Sequence, residues 1–393
     1  MNNRSVSTEV NITKIYEYLL YLFIIIAPII NSLKIWFFGY GLHIYVCIFI
    51  IILTLFVELI FKNQKSGTKY FSGLILIMFI FSLIFTAKLS KNIETGLIFN
   101  ILIYIAFLRI PGIIPLRKIY MSFYISSVIA AIYTVIAGYT ETSVSRTATS
   151  VDGSIAIIGI AIILFAEEPF RKNNFYNSLK FASFFSCLIV AVFGMSRARL
   201  FLIAALFAFK LFLEIGKAFR TGGIKKKHIL LIPVICVAAF LALRLSVVQE
   251  LLSTISERFS EGFQSIGRTE EIQIGWNWFK DNVFFGCGWG TLSFVDYHGA
   301  YSPYYNHCMY VALLTRGGII LAIPFYLSFA SLIRDVIKCK KMLAFVILAA
   351  FLALGYGNAG LFNFTICSFL IPLICILKTE NEKTNNNIAE NEI

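Results

Sequence analysis

Apolar residues occur along this chain in about twelve blocks separated by polar segments, and the shorter blocks need a few flanking residues to reach the roughly 20 that a helix requires to cross a membrane. The blocks are Tyr18–Leu33, Leu42–Phe61, Leu74–Ala87, Phe99–Leu108, Ile119–Gly138, Ile155–Ala166, Phe181–Met195, Leu200–Leu213, Ile229–Leu243, Tyr310–Ile333, Met342–Leu354 and Phe364–Leu377. The pattern predicts an all-α, polytopic integral membrane protein of about 12 transmembrane helices. Helices 1–9 are expected in residues 1–245 and helices 10–12 in residues 307–377.

Composition supports a membrane protein, because 59% of the residues are hydrophobic and only 14% are charged. A soluble domain has about 25% charged residues, since its surface must be solvated. Glu9 and Glu17 precede the first block, and no small-residue cleavage site follows it. We therefore expect this block to remain as the first transmembrane helix rather than to be removed as a signal peptide.

The net charge of +13 would fit a nucleic-acid-binding protein, but the placement of the basic residues indicates another origin. Lys and Arg are concentrated in alternate loops, as in membrane proteins whose cytoplasmic loops are basic. These clusters are Lys62/Lys65/Lys69, Arg109/Arg117/Lys118, Arg171/Lys172/Lys180, Lys217/Arg220/Lys225/Lys226/Lys227 and Arg334/Lys338/Lys340/Lys341. The pattern predicts cytoplasmic N and C termini and no nucleic-acid partner.

Three polar segments then fall on the outer side, and residues 246–306 form the only long one. Apolar residues with helical spacing occur there between Val248 and Phe263, and again from Ile272 to Phe279. With Trp276 and Trp278 among them, these amphipathic stretches suit the membrane interface. We predict a helical extracytoplasmic loop domain that acts as a lid, with a flexible loop at Gly286–Gly290. The segment 378–393, rich in Asn and Glu, is predicted to be a disordered cytoplasmic tail.

Acidic residues are almost absent from the centres of the apolar blocks. A proton- or sodium-coupled carrier normally needs carboxylates within the membrane, so this class loses support. The chain also lacks an Asp-x-Asp pair and any Cys or His spacing typical of a metal site. These absences disfavour a metal-dependent nucleotide-sugar transferase, and we expect neither a metal nor a cofactor.

Arginines on the predicted outer side are the candidate chemical groups. Arg197 lies in the short turn Gly194–Arg199 between two apolar blocks, where a buried arginine costs roughly 2.5–3.5 kcal/mol on insertion scales. An anionic ligand would offset that cost, because the guanidinium matches phosphate oxygens in a bidentate manner. Arg199 is two residues further and should point to the opposite helix face, so it ranks second.

His307 lies where the long segment returns to the membrane. Its imidazole titrates near neutral pH and could accept a proton, although an interfacial histidine within an aromatic belt remains an alternative. Cys287 and Cys308 are the two cysteines on the predicted outer side, and a disulfide between them is left open.

Several short motifs, taken in order, resemble the bacterial O-antigen ligase and polymerase superfamily over most of the chain. The motifs are Ser196-Arg197-Ala198, Gly267-Arg268-Thr269 followed by Trp276 and Trp278, Phe285-Gly286-Cys287-Gly288-Trp289-Gly290, His307-Cys308-Met309-Tyr310-Val311 and Gly317-Gly318. The family pattern usually has Asn after the histidine, where this chain has Cys308, while Asn306 precedes His307. Arg146 matches an arginine of the smaller outer loop, although the Asn that usually follows it is replaced near Asp152-Gly153.

The resemblance implies a metal-independent glycosyltransferase that uses a glycan carried on undecaprenyl diphosphate at the outer face of the bacterial inner membrane. Arg197, Arg268 and Arg146 would hold the diphosphate, and His307 would orient or deprotonate the acceptor. The remaining candidate substrate-binding residues are Arg199, Trp276, Trp289, Asn306 and Tyr310.

The sequence leaves three functions open. An O-antigen polymerase, joining lipid-linked repeat units and working with a chain-length regulator, is favoured by the Tyr-rich segment around His307 and the altered motif there. A ligase would transfer the glycan to lipid A-core instead. A flippase for lipid-linked oligosaccharide is a third function, but it should have cations in both membrane halves.

Overall fold

The computed structural model describes residues 2–30, 36–37, 40–60, 67–89, 95–111, 114–140, 153–167, 174–193, 197–221, 266–290, 292–295, 301–303, 308–357 and 368–391. Twelve helices lie within these ranges, which agrees with the predicted helical class. They are α1 Asn2–Ile30, α2 Leu42–Ile60, α3 Gly67–Leu89, α4 Thr95–Leu108, α5 Leu116–Thr140, α6 Ser154–Phe165, α7 Asn174–Phe193, α8 Arg197–Thr221, α9 Ile266–Asp281, α10 Met309–Cys339, α11 Met342–Gly357 and α12 Leu370–Asn391.

Two short antiparallel hairpins accompany these helices. The first pairs β1 (Trp36–Phe37) with β2 (Tyr40–Gly41), and the second pairs β3 (Ser293–Val295) with β4 (Tyr301–Pro303). The second hairpin and α9 both belong to the long segment 246–306, so that segment has structure of its own. The amphipathic stretch from Val248 to Phe263 and the apolar block Ile229–Leu243 lie outside the described residues.

Four helices of the described ranges are long and apolar enough to cross a membrane: Ile12–Ile30, Leu116–Ile136, Asn174–Phe193 and Met309–Cys339. Five shorter apolar helices accompany them: Ile44–Glu58, Tyr70–Ile84, Leu97–Leu108, Ser154–Phe165 and Met342–Tyr356. The chain is therefore a helical membrane protein, and the total of twelve spans remains a prediction.

Small and hydroxyl-bearing residues bring the central helices together. α5 packs against α1 and α7. The Ser126 hydroxyl donates to the Ile24 carbonyl at 2.8 Å, and the Ser127 and Ser183 hydroxyls share a hydrogen bond of 2.7 Å. Between α6 and α7, a Cβ added at Gly159 would lie 2.6 Å from Cys187 Sγ. Such contacts are typical of membrane helices, which associate through close packing rather than through the hydrophobic effect.

Charged residues connect several helix ends at one end of the bundle. Arg109, after α4, pairs with Glu58 of α2 at 2.8 Å. Lys341, between α10 and α11, pairs with Glu167 after α6 at 2.7 Å. Two residues of α12 join these pairs, because Lys378 donates to the Ile110 carbonyl and Glu380 lies 4.0 Å from Lys341. Basic residues that the sequence assigned to one side are therefore adjacent in the structure. We call these residues the charged belt.

α10 folds back on itself and is not the single membrane span that the block Tyr310–Ile333 predicts. Gly318 has φ 60° and ψ −167°, a non-helical conformation inside the element. Tyr310 and Tyr326 would be about 24 Å apart along a continuous helix. Instead the Tyr326 hydroxyl donates to the Tyr310 carbonyl at 2.9 Å, and the Tyr310 and Phe329 ring centroids are 6.3 Å apart. The first arm (residues 309–317) therefore lies antiparallel to the second arm (residues 319–339).

The second arm alone is about 31 Å long, enough to cross the hydrocarbon core. The hydropathy pattern missed the fold-back because both arms are apolar and because glycine is common in membrane helices. The turn is detected only through the backbone angles of Gly318 and the contacts between the arms.

The predicted disordered tail at residues 378–393 also differs from the structure, where α12 continues to Asn391. The helix starts in a buried apolar segment, Leu370–Leu377, and propagates from there. Adding a residue to an existing helix is far easier than starting one, so a polar sequence can extend a packed helix.

Candidate functional site

The structure describes the predicted site residues to different extents. Arg197 begins α8 and Arg268 lies in the first turn of α9, but only their backbones belong to the described part. Arg146, Asn306 and His307 lie outside the described residues, so their roles stay predictions. Side chains are described for the other four: Arg199, Trp276, Trp289 and Tyr310.

Arg199 lies over the start of α6. A Cβ added at Gly153, the N-cap of that helix, would lie 3.0 Å from both Cδ and Nη1 of Arg199. The starts of α6 and α8 are thus neighbours, and Arg197 belongs to the first turn of α8. Helix N-termini carry partial positive charge. The starts of α6 and α8, together with the Arg199 guanidinium, therefore favour binding of an anion. The sequence ranked Arg199 below Arg197, and the contact with Gly153 could not be anticipated from spacing.

A second feature brings together two motifs about thirty residues apart in the sequence. The chain after α9, residues 282–290, packs against the turn of α10, and we call this segment the glycine loop. The Cys287 amide donates to the Thr315 carbonyl at 2.7 Å, and the Gly288 amide donates to the Arg316 carbonyl at 2.9 Å. On the other side of the turn, the Ile319 amide donates to the Val283 carbonyl at 2.9 Å. The loop thereby satisfies backbone groups that the break at Gly318 leaves without helical partners.

The glycine loop is therefore not the flexible surface loop that its composition predicts. Gly286, Gly288, Trp289 and Gly290 are all buried. Glycine is required here for close approach of two backbones rather than for mobility.

Arg316 holds the far end of the glycine loop. Its side chain is buried, with 5% of the residue exposed. Nη1 donates to the Gly288 carbonyl at 3.4 Å and also to the Gly290 carbonyl. The residue lies at the C-terminal end of the first arm, where the helix dipole favours a positive charge. The sequence alone gives Arg316 no role, although the adjacent Gly317-Gly318 motif is a usable signal.

Trp289 anchors the same loop to α3. Its ring is fully buried and meets Phe79 edge-on, with centroids 5.1 Å apart. The indole N–H donates to the Ser82 hydroxyl at 2.8 Å. These contacts account for Trp289 as a packing residue, and its predicted role in substrate binding remains untested. Trp276 differs, because it is 42% exposed and lies beside Phe279 at 5.3 Å between ring centroids.

Tyr310 and Met309 place the start of the first arm against α11. The Tyr310 hydroxyl donates to the Leu352 carbonyl at 2.8 Å. A Cβ added at Gly355 would lie 2.4 Å from Met309 Cε, so the methionine fills the space that this glycine leaves. The arm that follows the His307 motif is thus fixed at its base as well as at its turn.

Cys287 and Cys308 are not joined by a disulfide in this structure, although the sequence left that pairing open. The Cys287 sulfur points towards the Trp278 carbonyl, 3.9 Å away. Burial raises the pKa of the Cys287 thiol, and the positive charge of Arg316 acts against that rise. Within the described ranges, no three His, Cys, Asp or Glu side chains come together. The expectation of a metal-free site remains a prediction.

Comparison with protein families matches residues 182–325 to the family described as O-antigen ligase. A search of curated proteins found no significant match. The matched segment contains α8, α9, the glycine loop and the first arm, and so covers every predicted site residue except Arg146. Residues 182–325 are thus similar to the O-antigen ligase family, and this match supports the resemblance of the chain to the O-antigen ligase and polymerase superfamily.

Proposed function

We propose that this protein is a glycosyltransferase that polymerises oligosaccharide repeat units carried on undecaprenyl diphosphate, at the outer face of the bacterial inner membrane. The observation that carries the proposal is the family match, which spans the arginine-bearing starts of α8 and α9 and the first arm. The contact between Arg199 and Gly153 supports the proposal, because it puts a guanidinium at the start of α6, the helix that follows the Arg146 segment.

In the proposed site the arginines hold the diphosphate. Arg197 and Arg268 are the first choice, with Arg146 contributing from the smaller outer loop. Arg199 adds positive charge at the paired helix starts. The field of these cations and of the helix N-termini would stabilise the charge that develops on the leaving diphosphate, without a metal ion.

The reaction needs one proton acceptor. The acceptor hydroxyl oxygen forms a bond to the anomeric carbon of the donor sugar, while the bond from that carbon to the diphosphate oxygen breaks. The electron pair of the broken bond leaves on undecaprenyl diphosphate, and the hydroxyl proton passes to the His307 imidazole and then to water. Trp276, exposed on α9, offers an aromatic face on which a sugar could stack.

The fold-back of α10 suits a lipid-linked donor. Tyr310 is level with Tyr326, about 11 Å along the second arm from the turn. If the turn lies at the outer surface, the first arm begins within the outer half of the membrane, at a depth that a diphosphate on a polyprenyl chain can approach laterally. This orientation places the charged belt and both termini in the cytoplasm, as the basic loops predict.

A ligase that uses lipid A-core as acceptor remains the second candidate, because the family model includes O-antigen ligases. A flippase is disfavoured, since the basic residues of the charged belt are accounted for by their own contacts. Arg109, for example, pairs with Glu58 and donates to Ser72 at 2.7 Å.

The test is reconstitution of the purified protein in liposomes with undecaprenyl-diphosphate-linked repeat units, with and without lipid A-core. A ladder of glycans without lipid A-core supports the polymerase, whereas glycan appearing only on lipid A-core supports the ligase. Arg197→Ala and His307→Ala should abolish either product. Arg334→Ala, which removes an exposed arginine from the second arm, is the matched control and should keep full activity.

A further inference from the structure

Side chains of the first arm form hydrogen bonds both to α9 and to the glycine loop. Near α9, the Thr315 hydroxyl donates to the Gly275 carbonyl at 3.0 Å. At the far end, Arg316 reaches the carbonyls of Gly288 and Gly290. Two successive side chains of the first arm therefore hold α9 at its middle and the glycine loop at its far end.

We infer that Arg316 is a positioning residue: it holds the glycine loop on the turn of α10 and so fixes α9, which carries Arg268, relative to the first arm, which directly follows the His307 motif. The inference rests on the proposed function, in which Arg268 and His307 act on the same donor and acceptor. Arg316 itself is buried beneath the loop and is not placed in contact with substrate.

Arginine suits this position for a geometric reason. Both hydrogen bonds come from Nη1, whose two N–H donors are held in the plane of the guanidinium, so this one nitrogen can serve carbonyls of two residues in the same loop. A lysine has a single charged nitrogen on a flexible stem and can occupy the position only in part. An alanine leaves both carbonyls of the buried loop without this donor.

The expected kinetic result is a loss of turnover with little change in substrate binding. Misplacement of catalytic groups by about 1 Å can cost on the order of 100-fold in rate. Arg316→Ala should lower kcat by roughly that factor with KM changed less than about threefold, because the groups that bind the donor are all still present. Arg316→Lys should recover part of kcat. Unchanged kcat in Arg316→Ala would overturn the inference.

A disulfide lock separates positioning from direct participation. The Cys287 amide donates directly to the Thr315 carbonyl, so the backbones of the two residues are adjacent, as a disulfide requires. Both side chains also point towards α9, to carbonyls one helical turn apart. Thr315→Cys can therefore be oxidised with the native Cys287. In the double variant with Arg316→Ala, oxidation should restore kcat to that of oxidised Thr315→Cys alone, and reduction should abolish the gain. A locked variant that stays inactive would show that Arg316 acts in another way.

Tryptic cleavage can be measured without transferase activity, so it tests this inference separately from the proposed function. Lys280 is exposed near the end of α9, directly before the glycine loop. Arg316→Ala should accelerate tryptic cleavage after Lys280 in the detergent-purified protein, and the disulfide should slow it again. Arg334→Ala should leave the cleavage rate unchanged. If the wild-type protein has no transferase activity, the proposed function fails, while an unchanged cleavage rate in Arg316→Ala overturns the positioning role.

Discussion

Gly286 and Gly318 face each other across the contact between the glycine loop and the turn of α10, and each has a positive φ, 65° and 60°. A Cβ at Gly318 would lie 2.2 Å from the Phe284 carbonyl oxygen and 2.6 Å from the Gly286 nitrogen. A Cβ at Gly286 would lie 2.6 Å from the Arg316 carbonyl and the Gly318 nitrogen. Neither residue can be replaced without moving two backbones apart.

Gly286→Ala and Gly318→Ala should therefore each destabilise the protein. Positive φ in a non-glycine residue costs about 1–3 kcal/mol, before the backbone clash is added. Thermal unfolding in detergent should show a lower midpoint for both variants. Gly216→Ala is the matched control, because a Cβ there meets nothing within 4 Å near the C-terminal end of α8, and alanine favours a helix. An unchanged midpoint for Gly318→Ala would contradict the described turn.

Gly153→Ala should impair transfer by displacing Arg199. The new methyl group would crowd Cδ and Nη1 of the arginine at 3.0 Å, so the Arg199 side chain must shift by a few tenths of an ångström. We expect a higher KM for the lipid-linked donor in both Gly153→Ala and Arg199→Ala, measured in the liposome assay. Gly73→Ala is the control, because its Cβ would meet Arg109 Nη2 at an ordinary contact distance of 3.4 Å. Equal effects of Gly73→Ala and Gly153→Ala would indicate a general loss of folding instead.

Substitution of Trp289 should lower stability, whereas substitution of Trp276 should lower activity. Trp289→Phe removes the hydrogen bond to Ser82 from a buried site and should lower stability by about 1 kcal/mol or more. Trp276→Ala changes an exposed ring and should leave the unfolding midpoint near that of the wild type while lowering transfer. Activity at the wild-type level in Trp276→Ala would remove it from the proposed site.

Tyr326→Phe tests the fold-back of α10. The variant keeps the ring and loses the hydrogen bond to the Tyr310 carbonyl, which joins the two arms. We expect a loss of about 1 kcal/mol in stability together with lower transferase turnover, because the first arm becomes less firmly held. Tyr356→Phe, which alters a tyrosine that is 68% exposed on α11, should have neither effect. If both variants behave alike, the arms are not joined as described.

The helical fold class could be predicted from the sequence, and so could the proximity of the basic loop residues to one another. Both depend on local composition. Apolar blocks such as Leu42–Phe61 correspond closely to helices such as α2, since a long apolar run in lipid must satisfy its own backbone groups. The adjacency of the Arg109 and Lys341 regions follows from the same alternation of basic loops.

The direction of the chain within an apolar block could not be predicted in the same way. Tyr310–Ile333 has the hydropathy of one span, and only the backbone angles of Gly318 show that it contains two arms. The role of Arg316 was missed for a related reason, because its partners Gly288 and Gly290 are brought to it by tertiary packing. Trp289 looked like a ligand-facing aromatic residue within a glycine-rich loop, and its burial depends on Phe79 and Ser82 of a distant helix.

The fold-back of α10 also has a consequence for biosynthesis. During synthesis the glycine loop leaves the ribosome before Gly318 does, so the surface that receives the turn already exists when the turn is made. Before that contact forms, the predominantly apolar sequence of α10 has the features of a single membrane segment for the insertion machinery. A topology reporter fused within the first arm would then record the orientation of that early segment, whereas one fused after Cys339 would record the finished protein.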